Sequence, residues 1–333
     1  MKRDEGSPGP RALGQTRGRH VDPGRRNAAL NPPVNLDELD LQINGLAEFR
    51  VDGAEGAEFR DLSGVWTARA RPDGIVHDAI IHAGGNVRPM RILMVASEAT
   101  PYAKTGGLAD VLGALPRALV RLGHVVDVVI PAYRGTAALP TATLQVAVGA
   151  EVFAAGVSVA TEGGLRVVLL HHDGFFGRDG LYGVGGADFP DNPLRFAFLA
   201  RAAIEWASHG AERYDIVHGH DWQAGLLPVL LRAGVGAGGP LGTATLVHTI
   251  HNLAYQGLCD ASWLPRLGLG WEWLTPDRLE FWGRVNFLKG GIGCSDVVTT
   301  VSPRYAIEIQ TPEYGCGLEG LLDRKSTRLN SSH

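Results

Sequence analysis

Beyond Met90 the apolar positions of this chain fall into two alternating rhythms. Residues 92–96 form a short unbroken apolar run of the kind that makes a buried strand, and Leu108, Val111, Leu112, Leu115, Leu119 and Leu122 follow at helical spacing. Residues 125–130 read as a second strand closed by Pro131, and residues 157–161 and 165–170 flank Glu162-Gly163-Gly164 as a hairpin. A helix is predicted over residues 193–209, with Phe196, Leu199, Ala203, Ile204 and Ala207 along one side. Residues 215–217, 245–250 and 297–301 read as three more buried strands, the last stopped by Pro303 and followed by a helical stretch over residues 304–309. Strands and helices alternating in this way call for an α/β fold, a Rossmann-like parallel sheet with helices on both faces.

The flanks differ from this core. Residues 1–35 are rich in Gly, Pro, Arg and Asn and have no apolar period, which predicts a disordered arm. Residues 36–87 alternate short apolar pieces with charge and glycine, and residues 59–66 read as a strand or two. The expected organisation is an N-terminal extension over residues 1–89, a catalytic-type lobe over residues 90–322, and a polar tail over residues 323–333. Between the hairpin and the long helix, residues 171–191 make a loop rich in Gly and aromatics. A loop of that length is usually functional or mobile.

Polar residues gather just after the strands, where ligands sit in open α/β sheets. Three clusters lie there: Lys104-Thr-Gly-Gly107, His218-Gly-His-Asp-Trp222 and His248-Thr-Ile-His-Asn252. They are expected to converge on one cleft. Gly106 and Gly107 stand at a helix N-terminus, where free backbone N–H groups and the positive dipole end favour a phosphate, and Lys104 adds a mobile cation. A glycine pair after a strand can also simply make the turn. The loop has neither the dinucleotide nor the P-loop glycine spacing, so neither a dehydrogenase nor an ATPase follows from it.

His218 and His220 flank a glycine and would share one face of a strand, which raises a metal cage and a zinc metallohydrolase as an alternative. No further ligand completes a recognised metal spacing, and packed, hydrogen-bonded histidines suit His218 and His248 better. Asp221 and His251 read as catalytic, sugar-facing groups. A breaking glycosidic bond develops positive charge on the anomeric carbon and negative charge on the phosphate, so a carboxylate suits the first and Lys104 the second. His251 and Asn252 can bond to sugar hydroxyls, and Trp222 offers a flat apolar face or is a core aromatic. Asp221 could instead cap the segment that begins at Gln223. Most of residues 280–291 is packing, with Asn286, Arg284 and Lys289 as its polar members.

Composition narrows the partners. The 333 residues carry a net charge of −4, which supplies no broad cationic surface for nucleic acid or acidic membranes. The three cysteines, Cys259, Cys294 and Cys316, form no C-x-x-C pair and read as reduced thiols. No apolar stretch has the length of a membrane span, so a soluble, cytoplasmic protein is expected.

Taken together, Ala103-Lys-Thr-Gly-Gly-Leu-Ala-Asp-Val111, His218-Gly-His-Asp-Trp222, His251-Asn-Leu-Ala-Tyr-Gln-Gly257, Asn286-Phe-Leu-Lys-Gly-Gly291, Ser302-Pro-Arg-Tyr305 and Tyr314-Gly-Cys-Gly-Leu-Glu-Gly320 resemble bacterial glycogen synthase and plant starch synthase. The resemblance runs from about Met90 to Leu322. It implies the N-terminal lobe of a two-lobed GT-B glycosyltransferase that moves glucose from ADP-glucose, or UDP-glucose, to the non-reducing end of an α-1,4-glucan. Retention at the anomeric carbon, and no metal or other cofactor, are also implied. It further implies donor contacts for Lys104, Gly106, Gly107 and Asn286, a glucose site lined by Asp221, His251 and Asn286, and Asp110 and Asn252 close by. The family's second lobe carries most of the nucleotide pocket, and its residues do not occur here. The expectation is a fragment inactive by itself; a non-catalytic glucan-binding module is the other alternative.

Overall fold

The computed structural model describes the backbone of residues 88–330 and of five strands between residues 38 and 79, with side chains from Arg88 to Lys325. The arm expected over residues 1–35 lies outside the described residues. The described elements belong to one unit that starts at Val34.

Eight strands form the core sheet: β1 (Arg91–Val95), β2 (Val125–Pro131), β3 (Ala142–Val148), β4 (Glu151–Glu162), β5 (Leu165–His171), β6 (Ile216–His220), β7 (Thr245–Ile250) and β8 (Val297–Thr300). Their order is β3-β4-β5-β2-β1-β6-β7-β8. From β5 through β8 every neighbour pair is parallel, while β4 pairs antiparallel with both β5 and β3. Beyond β8 the sheet continues antiparallel into the strands Glu38–Ile43, Ala47–Asp52, Gly56–Asp61, Gly64–Ala70 and Val76–Ala79. The stretch 59–66 is thus a hairpin, with Phe59 opposite Trp66.

Period-2 alternation sorts the sheet's side chains between two cores. On β1, Leu93 and Val95 face the layer holding α2 (Asn192–Ser208) and α3 (Leu226–Arg232), whereas Ile92 and Met94 face α1 (Gly107–Arg121). Leu108, Val111 and Leu112 supply the buried stripe of α1. A third cluster joins Ile250 of β7 and Val298 of β8 to Leu288 and Ile292 of α4 (Phe287–Cys294), Ile309 just past α5 (Pro303–Glu308), and Leu321 and Leu322 of α6 (Glu319–Asn330). The helix α6 therefore runs straight across the boundary expected after Leu322.

The chain leaves β1 toward β2 on one side and returns through α2 to β6 on the other. The order of the sheet therefore reverses between β1 and β6, and a crevice opens outside their carboxyl ends. Both strands deliver their following loops there.

The loop over residues 171–191 is tied down along its length. Arg195 of α2, 0% exposed, donates from Nε to the Phe175 carbonyl (2.7 Å), from Nη2 to the Leu181 carbonyl (2.9 Å) and from Nη1 to Asn192 Oδ1 (2.6 Å). Asn192 donates to the Tyr182 carbonyl at 2.9 Å, and Arg178 grips Asp191 with two bonds of 2.7 and 2.6 Å. A guanidinium buried among carbonyls and aromatic faces, with ring centroids of Phe189, Phe196 and Phe176 at 4.9 to 5.5 Å, is a fixed anchor. Of the two expectations for this loop, its contacts favour a positioned element.

Candidate active site

The three strand-end clusters meet at the crevice. At the end of β6, Asp221 takes φ 55° and ψ −175°, a region that glycine alone occupies without strain. The strain turns its carboxylate toward the loop after β7, where Oδ1 accepts the backbone N–H groups of His251 (2.8 Å) and Asn252 (3.2 Å). Its own N–H donates to the Thr249 carbonyl at 2.9 Å. The side chain does not cap the helical turn Trp222–Ala224, which removes the capping role considered from sequence. Burial is the dominant influence on this acid and pushes it up to about 7, against the two N–H donors and with help from the nearby charge of Glu98.

Four histidines pack behind it. His218 Nε2 bonds to Thr249 Oγ1 at 2.6 Å, which in turn bonds to Thr299 Oγ1 at 2.6 Å, and His220 Nδ1 meets His251 Nε2 at 3.1 Å. The rings of His218 and His220 stack 4.1 Å apart. Burial holds His218, His248 and His251 down to about 3 and His220 well below the ordinary imidazole range, so all four are neutral at pH 7. Among the described residues no three His, Cys, Asp or Glu side chains converge as metal ligands, so the shared strand face of His218 and His220 does not extend to a cage.

His248 corrects one expectation, because it is packed but not hydrogen-bonded: it is 0% exposed and neither ring nitrogen has a partner. Its ring is clasped between glycines, and a Cβ on Gly291 would stand 2.7 Å from it. Gly291→Ala should accordingly cost about 1–3 kcal/mol in urea-induced unfolding, the usual penalty for overpacking a core. An unchanged midpoint would mean that the ring can move.

The Lys-Gly-Gly loop lies beside these groups at the end of β1. Lys104 Nζ forms a bidentate pair with Asp110 (2.6 and 2.8 Å) in the first turn of α1, and its side chain stays 55% exposed. Gly106, the residue before α1, has φ −152° and ψ −163°, ordinary extended backbone. A Cβ there would meet nothing within 4 Å. Neither turn geometry nor packing therefore calls for glycine at this position.

The remaining expected site residues divide. Asn252 shapes its own loop, accepting the Ala254 N–H at 3.0 Å. Trp222 packs edge-on against Phe196 (4.8 Å between centroids) and close to Gly257, the core-aromatic alternative. Asn286 is 0% exposed, caps α4 through the Lys289 N–H (2.8 Å), and donates to Gln256 Oε1 (2.7 Å). Both ends of its amide are thus engaged within the protein, and it braces the His251–Gly257 loop against α4. Lys289 donates to the Glu280 carbonyl, and Arg284 to the Leu258 carbonyl at 3.2 Å.

Sequence reasoning passes over Glu98 and Tyr182. Glu98 is 3% exposed, and its carboxylate accepts the Thr105 N–H, the Thr105 hydroxyl (2.7 Å) and the Tyr182 hydroxyl. Tyr182 also meets Ser97 Oγ at 2.8 Å. The available signal is an acidic residue three positions past a buried strand, two residues before Thr100-Pro101.

Comparison with known proteins gives these residues a context. Residues 91–324 match the family model described as starch synthase catalytic domain. The chain is 44% identical over 246 residues to glycogen synthase 2 of Geobacter metallireducens, covering 72% of this chain and 51% of that protein. It is 47% identical over 250 residues to glycogen synthase of Myxococcus xanthus, covering 72% and 52%. The catalytic domain of starch synthase IV from Arabidopsis thaliana, solved bound to ADP and acarbose, superposes with a TM-score of 0.65 at 33% identity, covering 72% of this chain and 50% of that one. The chain spans about half the length of the curated relatives it matches.

Proposed function

The chain belongs to the starch synthase catalytic-domain family, and from that premise we propose that it forms the N-terminal lobe of a glycogen or starch synthase, an enzyme that transfers glucose from ADP-glucose, or UDP-glucose, to an α-1,4-glucan with retention. The observation that carries the reading furthest is Gly106, a glycine that its own fold does not require, at a helix N-terminus beside an exposed lysine. Backbone N–H groups and a cation in that arrangement suit the donor diphosphate.

As the glycosidic bond breaks, negative charge grows on the leaving phosphate and positive charge on the anomeric carbon. Lys104 and the N–H groups at Gly106 and Gly107 would stabilise the first. Asp221, held by two backbone N–H groups with its second oxygen left over, and His251, neutral at working pH, would face the glucose. Asn286 and Asp110 act one step back in this scheme, Asn286 by setting the His251 loop and Asp110 by steering Lys104. Trp222 supports the same floor from the core. The ADP of the starch synthase IV complex is consistent with an adenine nucleotide donor, and acarbose with a glucan acceptor.

The test is a single substitution. Gly106→Ala should leave unfolding unchanged or raise stability by about 0.4–1 kcal/mol, since alanine tolerates this backbone and restricts the unfolded chain. Titration calorimetry with ADP-glucose should show affinity reduced at least tenfold. Lost stability with unchanged ADP-glucose binding would mean that the glycine only makes the turn. Glucan binding that ignores both Gly106→Ala and Lys104→Ala, with no ADP-glucose binding, would favour a non-catalytic glucan-binding module.

A further inference from the structure

The donor loop does little to fix its own backbone: Lys104 is exposed with its side chain tied to Asp110, a Cβ on Gly106 would meet nothing within 4 Å, and the helix that follows has no side-chain cap. An anion site built from backbone N–H groups works only if those groups are already aimed before the ligand arrives. The only buried charged side chain bonded to the 104–107 segment, among the described residues, is Glu98.

We propose that Glu98 is a positioning residue, which clamps Thr105 and so presents the Lys104–Gly107 loop to the donor diphosphate, with Tyr182 locking the clamp from the 171–191 loop. The proposal rests on the donor-site reading above.

The hydrogen-bond inventory is one-directional. An ionised carboxylate only accepts, and three donors converge on this one: the Thr105 N–H on Oε2, and the Thr105 and Tyr182 hydroxyls on Oε1. Bonds of this charge-assisted kind are about twice as strong as neutral ones. Burial holds the Tyr182 phenol well above its ordinary range, so it stays a donor. Tyr182 is in turn fixed at both ends. Its carbonyl receives Asn192 and the Phe189 N–H, and Arg195 holds the neighbouring Leu181 carbonyl. A chain of contacts thus runs from the first turn of α2, through a loop more than seventy residues downstream of the donor site, to the backbone of Thr105. Glu98 never reaches the ligand in this arrangement, because every oxygen contact it makes is internal. Its effect is transmitted through Thr105.

Two kinds of measurement, on this chain as it stands, test the clamp. Amide hydrogen exchange at residues 104–107 requires no ligand. Glu98→Ala should accelerate it at least tenfold, Tyr182→Phe should give a smaller increase, and Glu98→Gln should restore most of the protection, since an amide can still accept from the Thr105 N–H while the hydroxyls reverse. Titration supplies the second. ADP-glucose affinity should fall at least tenfold in Glu98→Ala and recover in Glu98→Gln, while affinity for maltohexaose stays within twofold. Unchanged exchange at 104–107 in folded Glu98→Ala and Tyr182→Phe overturns the clamp. So does an equal fall in ADP-glucose and maltohexaose affinity, which would mark a general structural defect. If Glu98→Ala does not fold, the Tyr182→Phe exchange decides alone. If the unsubstituted chain binds no ADP-glucose while exchange responds as expected, the clamp stands as loop architecture and the donor reading is what fails.

Discussion

Acidification from pH 7 to pH 5 should strip this protein of stability much faster than general charge repulsion alone. The cause is the histidine group behind Asp221. An imidazole held neutral in the fold takes up its proton only when the chain unfolds, so below about 6.5 the unfolded state binds more protons, and stability falls as pH falls toward the folded value near 3. Asp221 works in the opposite sense. Its folded value of about 7 lies above the ordinary 3.8, so its contribution is fully present at low pH and is lost as pH rises toward 7.

His220 and His248 are 0% exposed and count in full, whereas His218 and His251 keep a partly exposed edge and count for less. After subtracting Asp221, a net of roughly one to three protons remains, about 1.4 to 4 kcal/mol per pH unit once the window is entered. Over the window from about 6.5 to 5 that removes about 2–6 kcal/mol, a large share of a typical total of about 5–15 kcal/mol. Urea unfolding at pH 7.5, 6.5 and 5.5 measures the slope. His248→Leu sacrifices no hydrogen bond and should flatten it by about one proton. A stability that is level from pH 7 to pH 5 would show that these rings protonate within the fold.

Asp127→Ala should destabilise the protein by about 3–5 kcal/mol while leaving ligand binding at the crevice untouched. Asp127 sits on β2 and is 0% exposed. It accepts two bonds from Arg166 of β5 (2.5 and 2.6 Å), one from Arg91 of β1 (3.2 Å) and one from the Tyr214 hydroxyl (2.6 Å). One carboxylate therefore fastens three adjacent strands and the approach to β6, near the amino ends of the parallel strands and away from the site. Removing it leaves the partly buried Arg166 guanidinium without its counter-ion and Arg91 with Glu212 alone, the expensive way to break a buried pair. Asp127→Asn should recover part of the loss by still accepting from one partner. Equilibrium unfolding of both variants gives the comparison, and a loss under about 1 kcal/mol for alanine would mean that water replaces the carboxylate.

Much of this fold was legible because its strands are buried on both faces. Residues 92–96 are an unbroken apolar run, residues 125–130 and 165–170 are apolar but for Asp127 and Arg166, and residues 245–250 mix Leu, Val and Ile with Thr and His248; the structure places strands on each. The strand β3 was missed, although Leu144, Val146 and Val148 alternate with exposed positions, because three apolar residues within a Thr- and Ala-rich stretch carry little periodic weight. The helix α3 is Leu-Leu-Pro-Val-Leu-Leu-Arg, apolar all round, and offers no face to detect. At the site, the meeting of the three clusters followed from the rule that ligands bind beyond strand ends. The duties within it did not. The bonds of the Asn286 amide to Lys289 and Gln256, and the closing of Thr105 and Tyr182 on Glu98, are visible only in the folded chain. Such assignments depend on contacts between residues far apart in the chain, which local sequence pattern does not encode.

The reversal of strand order between β1 and β6 also bears on how the protein folds. The register there joins Ile92 to Ile216 and Leu93 to Val217, so everything from α1 through α2 must be looped out before the first rung can form. Pairings of such high sequence separation are slow, and the segments on either side, β2 with β5 and β6 with β7, can each collect their nearer contacts first. By the same measure the crevice seam closes after the pairings on either side of it. Crevice binding would then serve in refolding experiments as a reporter of completed folding, rising later than the helical signal.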